Sequence, residues 1–346
     1  MTSALSSTEL VFALPDGSDQ ISGGNIYNQR LLGALATRAR VSSLDLASVR
    51  ARIERGEPGF YFIDSLNLSE FAAFPRQRAG QRYGLITHHL PSLEPGLDPT
   101  HPSLQIEDET LCRFDVLLAT SPFTAEFLRL QGHAPERILI VPPAPPPSPA
   151  LARTLAEPFT FAWVGNLVPR KSMLELLRAL DARILPEDRF FIDLAGRADL
   201  DAEYAAQCLQ FAGDSEQLRR VVRYLGAISN DAVLALHGRA TALITAAKME
   251  TFGMALQEAR ASGLPILALD GGYARSHFTE GRNGRLFGSI EDLAEGVLAC
   301  VRAPASLRAL FDGAQRSRLN SDYTWERAAE SFLAQLARYV ALSADS

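Results

Sequence analysis

The stretch Lys248–Asp270, KMETFGMALQEARASGLPILALD, decides the fold. Its residues predict a loop, a short helix and a buried strand, in that order. The helix starts near Gly253 and runs through Met254, Ala255, Leu256, Gln257, Glu258, Ala259, Arg260, Ala261 and Ser262, nearly all of them good helix formers. Gly263 suits the position just past the helix end, and Pro265 stops further helix. The apolar run Leu264–Leu269 reads as a buried strand. The backbone N–H groups of Phe252, Gly253, Met254 and Ala255 lie at the helix start, unpaired and at the positive end of the dipole, where an anion such as phosphate is favoured. Gly253 lets that anion come close to the backbone.

Two carboxylates flank this helix start. Glu258 lies five residues in, roughly 7 Å along the axis at about 1.5 Å per residue. From there it could accept hydrogen bonds from a sugar diol while a phosphate rests on the helix end. Glu250, in the preceding loop, faces the other side of the phosphate. The same letters also fit an ordinary strand-loop-helix with Glu258 on a solvated face, because acidic residues near a helix start suit the dipole.

Taken together, the pattern ExFGxxxxEAxAxGxP from Glu250 to Pro265 resembles the most specific signature of the retaining glycosyltransferases of family 4. The resemblance implies an α/β chain of GT-B fold, two Rossmann-like parallel-sheet domains facing a cleft. In that family the first Glu contacts donor-sugar hydroxyls and the second contacts the ribose, roles that would fall on Glu250 and Glu258. Thr251, Phe252, Gly253, Met254 and Ala255 would line the same donor site.

Working outward, Phe161-Ala-Trp-Val-Gly-Asn-Leu-Val-Pro-Arg-Lys171 reads as a buried strand ending at Gly165, with Lys171 at the start of a helix. A cation is unfavourable at that helix end unless an anion joins it. The family form is G-R-L-x-x-x-K-G, whose Arg and Lys hold the donor diphosphate. Lys171 stands in the Lys place. Asn166 stands where the family has Arg, Ser172 replaces its Gly, and Arg170 is a neighbouring cation. The stretch Val221–Ile228 resembles the family's base-binding strand and loop, which would put Ile228 against the base. Asp270-Gly271-Gly272 and Asn283-Gly284 bracket a segment similar to the family's, except that Arg275 stands where Glu is usual. Only two lysines occur, Lys171 and Lys248, and both fall beside these motifs.

The first half alternates strands and helices. Strands are expected at Glu9–Leu14, Val41–Leu44, Gly59–Asp64, Tyr83–Thr87, Asp115–Ala119 and Arg137–Val141, with helices such as Tyr27–Ala36 and Phe123–Leu130 between them. This order predicts a parallel sheet with helices on both faces. Ser22-Gly23-Gly24-Asn25 reads as a turn before a helix starting near Ile26, able to bring backbone N–H groups to a phosphate or sugar. The family carries a similar glycine pair there. No GxGxxG occurs, which argues against a nicotinamide dehydrogenase. Thr87-His88-His89 ends a strand and enters a proline-rich loop, and such strand ends form ligand sites. The family often has a His there near the donor sugar, a place His88 fits best, with His89 behind it. The resemblance therefore implies a catalytic set of Glu250, His88 and Lys171, and a cleft and acceptor set of Gly23, Gly24, Asn25, His88 and His89.

The proline-rich run at 141–150 reads as a stiff linker, since core elements do not tolerate so many prolines. A second α/β series follows, with strands near Phe159–Val164, Phe190–Leu194, Val221–Leu225, Thr241–Thr245 and Pro265–Leu269. Helices are expected around Ile290–Ala299, Ala305–Arg316 and Trp325–Ala341. The domains expected are 1–145 for the acceptor, 146–324 for the nucleotide-sugar, and a last helix at 325–346. In the resembled family that helix crosses back onto the first domain, where Trp325 and Phe332 would pack.

The bulk properties agree with an enzyme of small substrates. With 346 residues, two domains of ordinary size are expected. The net charge of −6 argues against a nucleic-acid partner. Three well-separated cysteines (Cys112, Cys208, Cys300) give neither a disulfide framework nor zinc spacing, so a reducing, cytoplasmic setting is expected. MTSALSSTELVFALPDG has neither the basic start nor the apolar core of a signal peptide. Arg38 and Arg40, and Arg76, Arg78 and Arg82, leave open a peripheral contact with an anionic lipid face or acceptor. Asp199-Leu200-Asp201 is read as helix capping, and no metal or other cofactor is required.

The function that follows from the resemblance is transfer of a hexose, with retention, from a nucleotide-diphosphate sugar to a glycan or small-molecule hydroxyl. UDP is the favoured nucleotide and GDP the next. The alternatives are a catalytically weak binding subunit, on the strength of Asn166 and Arg275, or an epimerase or phosphorylase of the same fold.

Overall fold

A computed structural model describes residues 8–14, 22–147, 154–319 and 321–344. Residues 1–7, 15–21, 148–153, 320 and 345–346 lie outside these, among them 148–150 of the proline-rich run. The chain divides into two compact units, Met1–Ala144 with Tyr323–Ser346, and Pro145–Asp322.

The first unit is built on β1 (Leu10–Ala13), α1 (Gly23–Leu35), β2 (Val41–Leu44), α2 (Leu46–Glu54), β3 (Gly59–Asp64), α3 (Leu68–Phe71), β4 (Gln81–Thr87), α4 (Pro102–Leu111), β5 (Val116–Ala119), α5 (Pro122–Leu130) and β6 (Ile138–Ile140). Every strand pair is parallel, in the order β2-β1-β3-β4-β5-β6. β1, β3 and β5 are buried along their whole length, the near-continuous apolar reading that parallel strands covered on both faces require. Stacked rings of Phe12, Phe62 and Phe60, each pair 4.9 Å apart, form its core. The strand order reverses about β1, whose neighbours β2 and β3 both follow it in sequence. The carboxyl ends of β1 and β3 therefore flank a crevice of the kind in which parallel sheets bind ligands.

The second unit holds β7 (Phe159–Val164), α6 (Met173–Asp181), β8 (Phe190–Ala195), α7 (Ala202–Asp214), α8 (Glu216–Val221), β9 (Val222–Gly226), α9 (Asn230–Arg239), β10 (Ala242–Thr245), α10 (Met254–Ala261), β11 (Ile266–Leu269), β12 (Gly284–Phe287), α11 (Ile290–Arg302) and α12 (Pro304–Arg316). Its sheet is again all parallel, ordered β12-β11-β10-β7-β8-β9. Here the order reverses at β7, which lies between β10 and β8. The loops that follow β7 and β10 are thus spatial neighbours although about 80 residues separate them.

The last helix, α13 (Trp325–Ala344), is part of the first unit. Trp325 meets Tyr27 edge-on at 5.6 Å, and Phe332 meets Phe62 at 5.2 Å. Gln335 completes the edge strand β6: its amide accepts from the Ile140 N–H at 2.8 Å and donates to the Ile140 carbonyl at 2.9 Å. A side chain thereby pairs backbone groups that an edge otherwise leaves open.

Several expectations need correction. The glycine pair is not a turn before the helix, because α1 begins at Gly23 with Ser22 as its cap, accepting from the Asn25 N–H at 3.1 Å. Asn25 is therefore already inside the first turn. Residue 221 closes α8 and the strand begins at Val222. Lys171 ends a 3-10 turn, Pro169–Lys171, and α6 starts only at Met173. The last helix, expected to Ala341, runs on to Ala344. The proline-rich run does not start as a free linker, since the Val141 N–H donates to Ala119 and its carbonyl accepts from the Tyr27 hydroxyl at 2.8 Å.

Candidate active site

In the second unit the loops after β7 and β10 build one polar cluster. β7 runs out of its ladder at Val164, and Gly165 passes so near Gly196, after β8, that a Cβ on Gly196 would fall 1.6 Å from the Gly165 carbonyl oxygen. That contact fixes where the β7 loop turns. The chain continues through Asn166 to the 3-10 turn and leaves it at Ser172, which is fully buried in the left-handed region at φ 49°. This explains why the resembled pattern has Gly at that place.

The β10 loop is held against it. The Lys248 N–H donates to the Arg170 carbonyl at 3.1 Å. Gly271 and Gly272 press on the other side, where a Cβ would stand 2.4 Å from the Lys248 carbonyl oxygen and 2.3 Å from that of Glu250. The Tyr273 N–H donates to the Glu250 carbonyl at 2.7 Å. Phe252 is gripped by Tyr273 and His277, and the His277 Nε2–H donates to the Phe252 carbonyl at 2.5 Å. Burial lowers the basicity of His277, with that carbonyl opposing, so the ring stays a neutral Nε2–H donor near neutral pH. Gly253, at φ 88°, then turns the chain into α10 without any side-chain cap. The helix start is therefore left open, as an anion site requires.

Into this frame project the charged groups. The Lys171 ammonium meets the Glu250 carboxylate at 2.5 Å, both side chains being largely buried at 15% and 12% exposure. Desolvation lowers the Lys171 pKa, and Glu250 works against that by favouring the ammonium. Arg170 carries no ion pair among the described residues and its charge adds to the lowering. Glu258, one turn inside α10, is only 6% exposed, not solvated, and no group of the described residues hydrogen-bonds its carboxylate. Burial pushes its pKa up to about 7. A buried carboxyl without a partner is costly, and the cost is removed when a ligand brings hydrogen-bond donors. Thr251 is half-buried in the same loop, Met254 and Ala255 form the first turn of α10, and Ile228 packs on the neighbouring apolar core, before the Ser229-capped start of α9. Arg275 lies at the surface, tied to Asp270 at 2.5 Å. Asp201 caps α7, its side chain accepting from the Tyr204 N–H, and Asp199 pairs with Arg197.

In the first unit the structure brings together Gly24, His88 and two residues that sequence reasoning did not single out, Asn28 and Asp64. A Cβ on Gly24 would stand 3.3 Å from the His88 ring, so the glycine is what admits the imidazole. His88 touches Asn28 at 2.9 Å, and Asn28 donates to the fully buried Asp64 at 2.7 Å. His89 turns away to Glu94 at 2.9 Å. Two signals were available: Asp64 ends a six-residue buried strand at the carboxyl edge of a parallel sheet, and Asn28 lies four residues after Gly24 on one helix face. Of the arginines considered for an anionic surface, Arg38, Arg40 and Arg82 are ion-paired, while Arg76 and Arg78 carry no ion pair among the described residues. No helix among the described residues is long and apolar enough to cross a membrane.

Comparison with known proteins agrees with this geometry. Residues 153–316, just under half of the chain, match the family model of glycosyl transferases group 1. A D-inositol 3-phosphate glycosyltransferase of Geodermatophilus obscurus is 26% identical over 245 residues, covering 66% of this chain and 53% of the relative. The chain thus spans about half the length of that relative. Among solved structures, sucrose-phosphate synthase from Thermosynechococcus elongatus superposes with a TM-score of 0.74 at 16% identity, covering 97% of this chain and 100% of that one. An Anabaena protein, HepE, in complex with UDP-glucose gives 0.64 at 16% identity, over 98% and 100% of the two chains. The fold is GT-B, and residues 153–316 are similar to glycosyl transferases group 1.

Proposed function

We propose that this chain transfers a hexose, with retention, from a nucleotide-diphosphate sugar bound by the second unit to a hydroxyl of a glycan or small molecule bound by the first. The observation that carries the reading is the Lys171–Glu250 pair beside the uncapped start of α10, with the buried, unpartnered Glu258 one turn further on. These three features match the three parts of a donor. The helix N-terminus and Lys171 take the charge that develops on the leaving diphosphate, the kind of preorganised stabilisation that carries much of an enzymatic rate. Glu258 accepts from the ribose hydroxyls. Glu250, steadied by Lys171, aligns the sugar through its hydroxyls. The family resemblance implies a same-face displacement, in which the acceptor oxygen bonds to the sugar as the phosphate leaves and the leaving phosphate oxygen takes the acceptor proton.

UDP is the favoured nucleotide and GDP the next; HepE binding UDP-glucose on the same fold supports the order. The positive charge comes from the protein, so the reading asks for no metal. A cytoplasmic setting, with peripheral contact to a membrane left open at Arg76 and Arg78, belongs to the same proposal and is supported by three free cysteines. The second reading, a weak binding subunit, draws on Asn166, which leaves the diphosphate one cation short of the family pattern.

Calorimetric titration with UDP, GDP and ADP, on the wild type and Glu258→Ala, tests the proposal. One nucleotide should bind, and the variant should bind it about tenfold or more weakly, the worth of a hydrogen bond to a charged group. Absence of binding by the wild type to all three refutes it. Binding without donor hydrolysis or transfer selects the binding-subunit reading.

A further inference from the structure

In the first unit three side chains from three separate parts of the sequence form a chain of defined polarity. Asp64, at the end of β3, is fully buried, with one carboxylate oxygen accepting from the Leu66 N–H at 2.9 Å and the other from the Asn28 amide nitrogen at 2.7 Å. A carboxylate accepts only, so the amide of Asn28 must turn its nitrogen to Asp64 and its oxygen away. That oxygen lies 2.9 Å from His88 Nε2 and can only accept, so Nε2 must carry the proton. A neutral imidazole has one N–H, which leaves Nδ1 as its single lone pair. Nδ1 has no hydrogen-bond partner among the described residues, and the side chain remains 13% exposed. The ring itself is held by Tyr27 edge-on at 5.2 Å, by the Ser65 hydroxyl on the His88 N–H at 3.1 Å, and by the gap at Gly24.

We infer that Asn28 and Asp64 are positioning residues that lock His88 as its Nε2–H tautomer, so that Nδ1 serves as a hydrogen-bond acceptor for a substrate hydroxyl. The inference deepens the proposed function, since it gives His88 its chemical form. Asn28 also insulates: Asp64 lies 3.4 Å from Nε2, close enough to favour an imidazolium if the amide were gone. The titratable groups facing the ring are Asp64 from β3 and Tyr27 from α1, whose hydroxyl is spent on Val141. Burial lowers the His88 pKa against the pull of Asp64, in keeping with a neutral ring.

The test is nitrogen NMR of the full chain labelled with 15N-histidine, His88 being assigned by comparison with His88→Gln. In the wild type at neutral pH, Nε2 should carry the proton and Nδ1 should be bare. A dominant Nδ1–H form, or a rapidly averaged mixture like that of a free imidazole, overturns the inference. In Asn28→Leu, Asp64 is left facing Nε2 directly, and the acid limb of the transfer rate should move up by about one pH unit or more, as an adjacent opposite charge dictates. A fall in rate that is equal at every pH would show Asn28 to be structural only and would overturn it. The wild-type spectrum decides the tautomer even if the variant fails to fold. It requires no nucleotide, so failure of donor binding is read separately.

Discussion

Glu258→Gln should stabilise the protein, and by an amount that depends on pH in a defined direction. The side chain keeps its shape and loses only its ability to ionise. In the folded protein the Glu258 pKa lies at about 7 against an ordinary 4.5, because the carboxyl is buried. Between these values the unfolded carboxyl has released its proton while the folded one keeps it. The folded state then binds more protons, so wild-type stability falls as pH rises through that window. The difference, 7 − 4.5 = 2.5 pK units, corresponds to about 3 kcal/mol at about 1.4 kcal/mol per unit. The variant escapes this penalty. Its advantage should be near zero at pH 4.5 and reach about 3 kcal/mol above pH 7, or roughly 6–12 °C in melting temperature for a unit of this size. Thermal melts at pH 5, 6, 7 and 8 measure it. A gap that is constant with pH, or that widens toward acid, refutes the assignment of a strained carboxyl. The nucleotide supplies a second arm. Ribose hydroxyls that donate to Glu258 favour its ionised form, so wild-type affinity should rise with pH through about 7, while that of Glu258→Gln stays flat.

Lys171→Met should cost about 3 kcal/mol in urea denaturation, because it strands a largely buried Glu250, and adding Glu250→Gln should recover much of the loss in a double-mutant cycle. Gly196→Ala should lose about 3 kcal/mol in the same assay and weaken nucleotide binding, since its Cβ would overlap the Gly165 carbonyl that sets the β7 loop. Ser172→Gly should remain within about 1 kcal/mol of the wild type, relief at φ 49° being offset by a freer unfolded chain. Ser172→Val should be clearly less stable than either, because a β-branched residue at that φ is strained, and denaturation midpoints give the order.

Much of the second unit was legible in its residues. Gly253 and Gly263 both take positive φ where a helix start and a helix stop were read. Ser262 ends the helix as its C-cap, and the strand after Pro265 is fully buried. Asp201 is the helix cap it was taken for. Where the reading failed, the error was local too. Two adjacent glycines look like a turn, yet Gly23 and Gly24 open α1, because Ser22 caps the helix before them and His88 needs the space that a side chain on Gly24 would fill. Lys171 looked like a first-turn lysine, but the left-handed Ser172 delays the helix by two residues.

By itself the sequence determined the alternation of strands and helices, the open start of α10 and the glycines that turn the chain. These depend on backbone preference and periodicity, which neighbouring residues carry. Tertiary structure alone decided that Lys171 pairs with Glu250, 79 residues away, because β10 docks beside β7 and brings their loops together. It alone buried Glu258 without a partner, and joined Asp64, Asn28 and His88 from three separate parts of the chain. Charge pairing, desolvation and tautomer depend on distances between groups far apart in the chain, and only the order of strands in the folded sheets sets those distances.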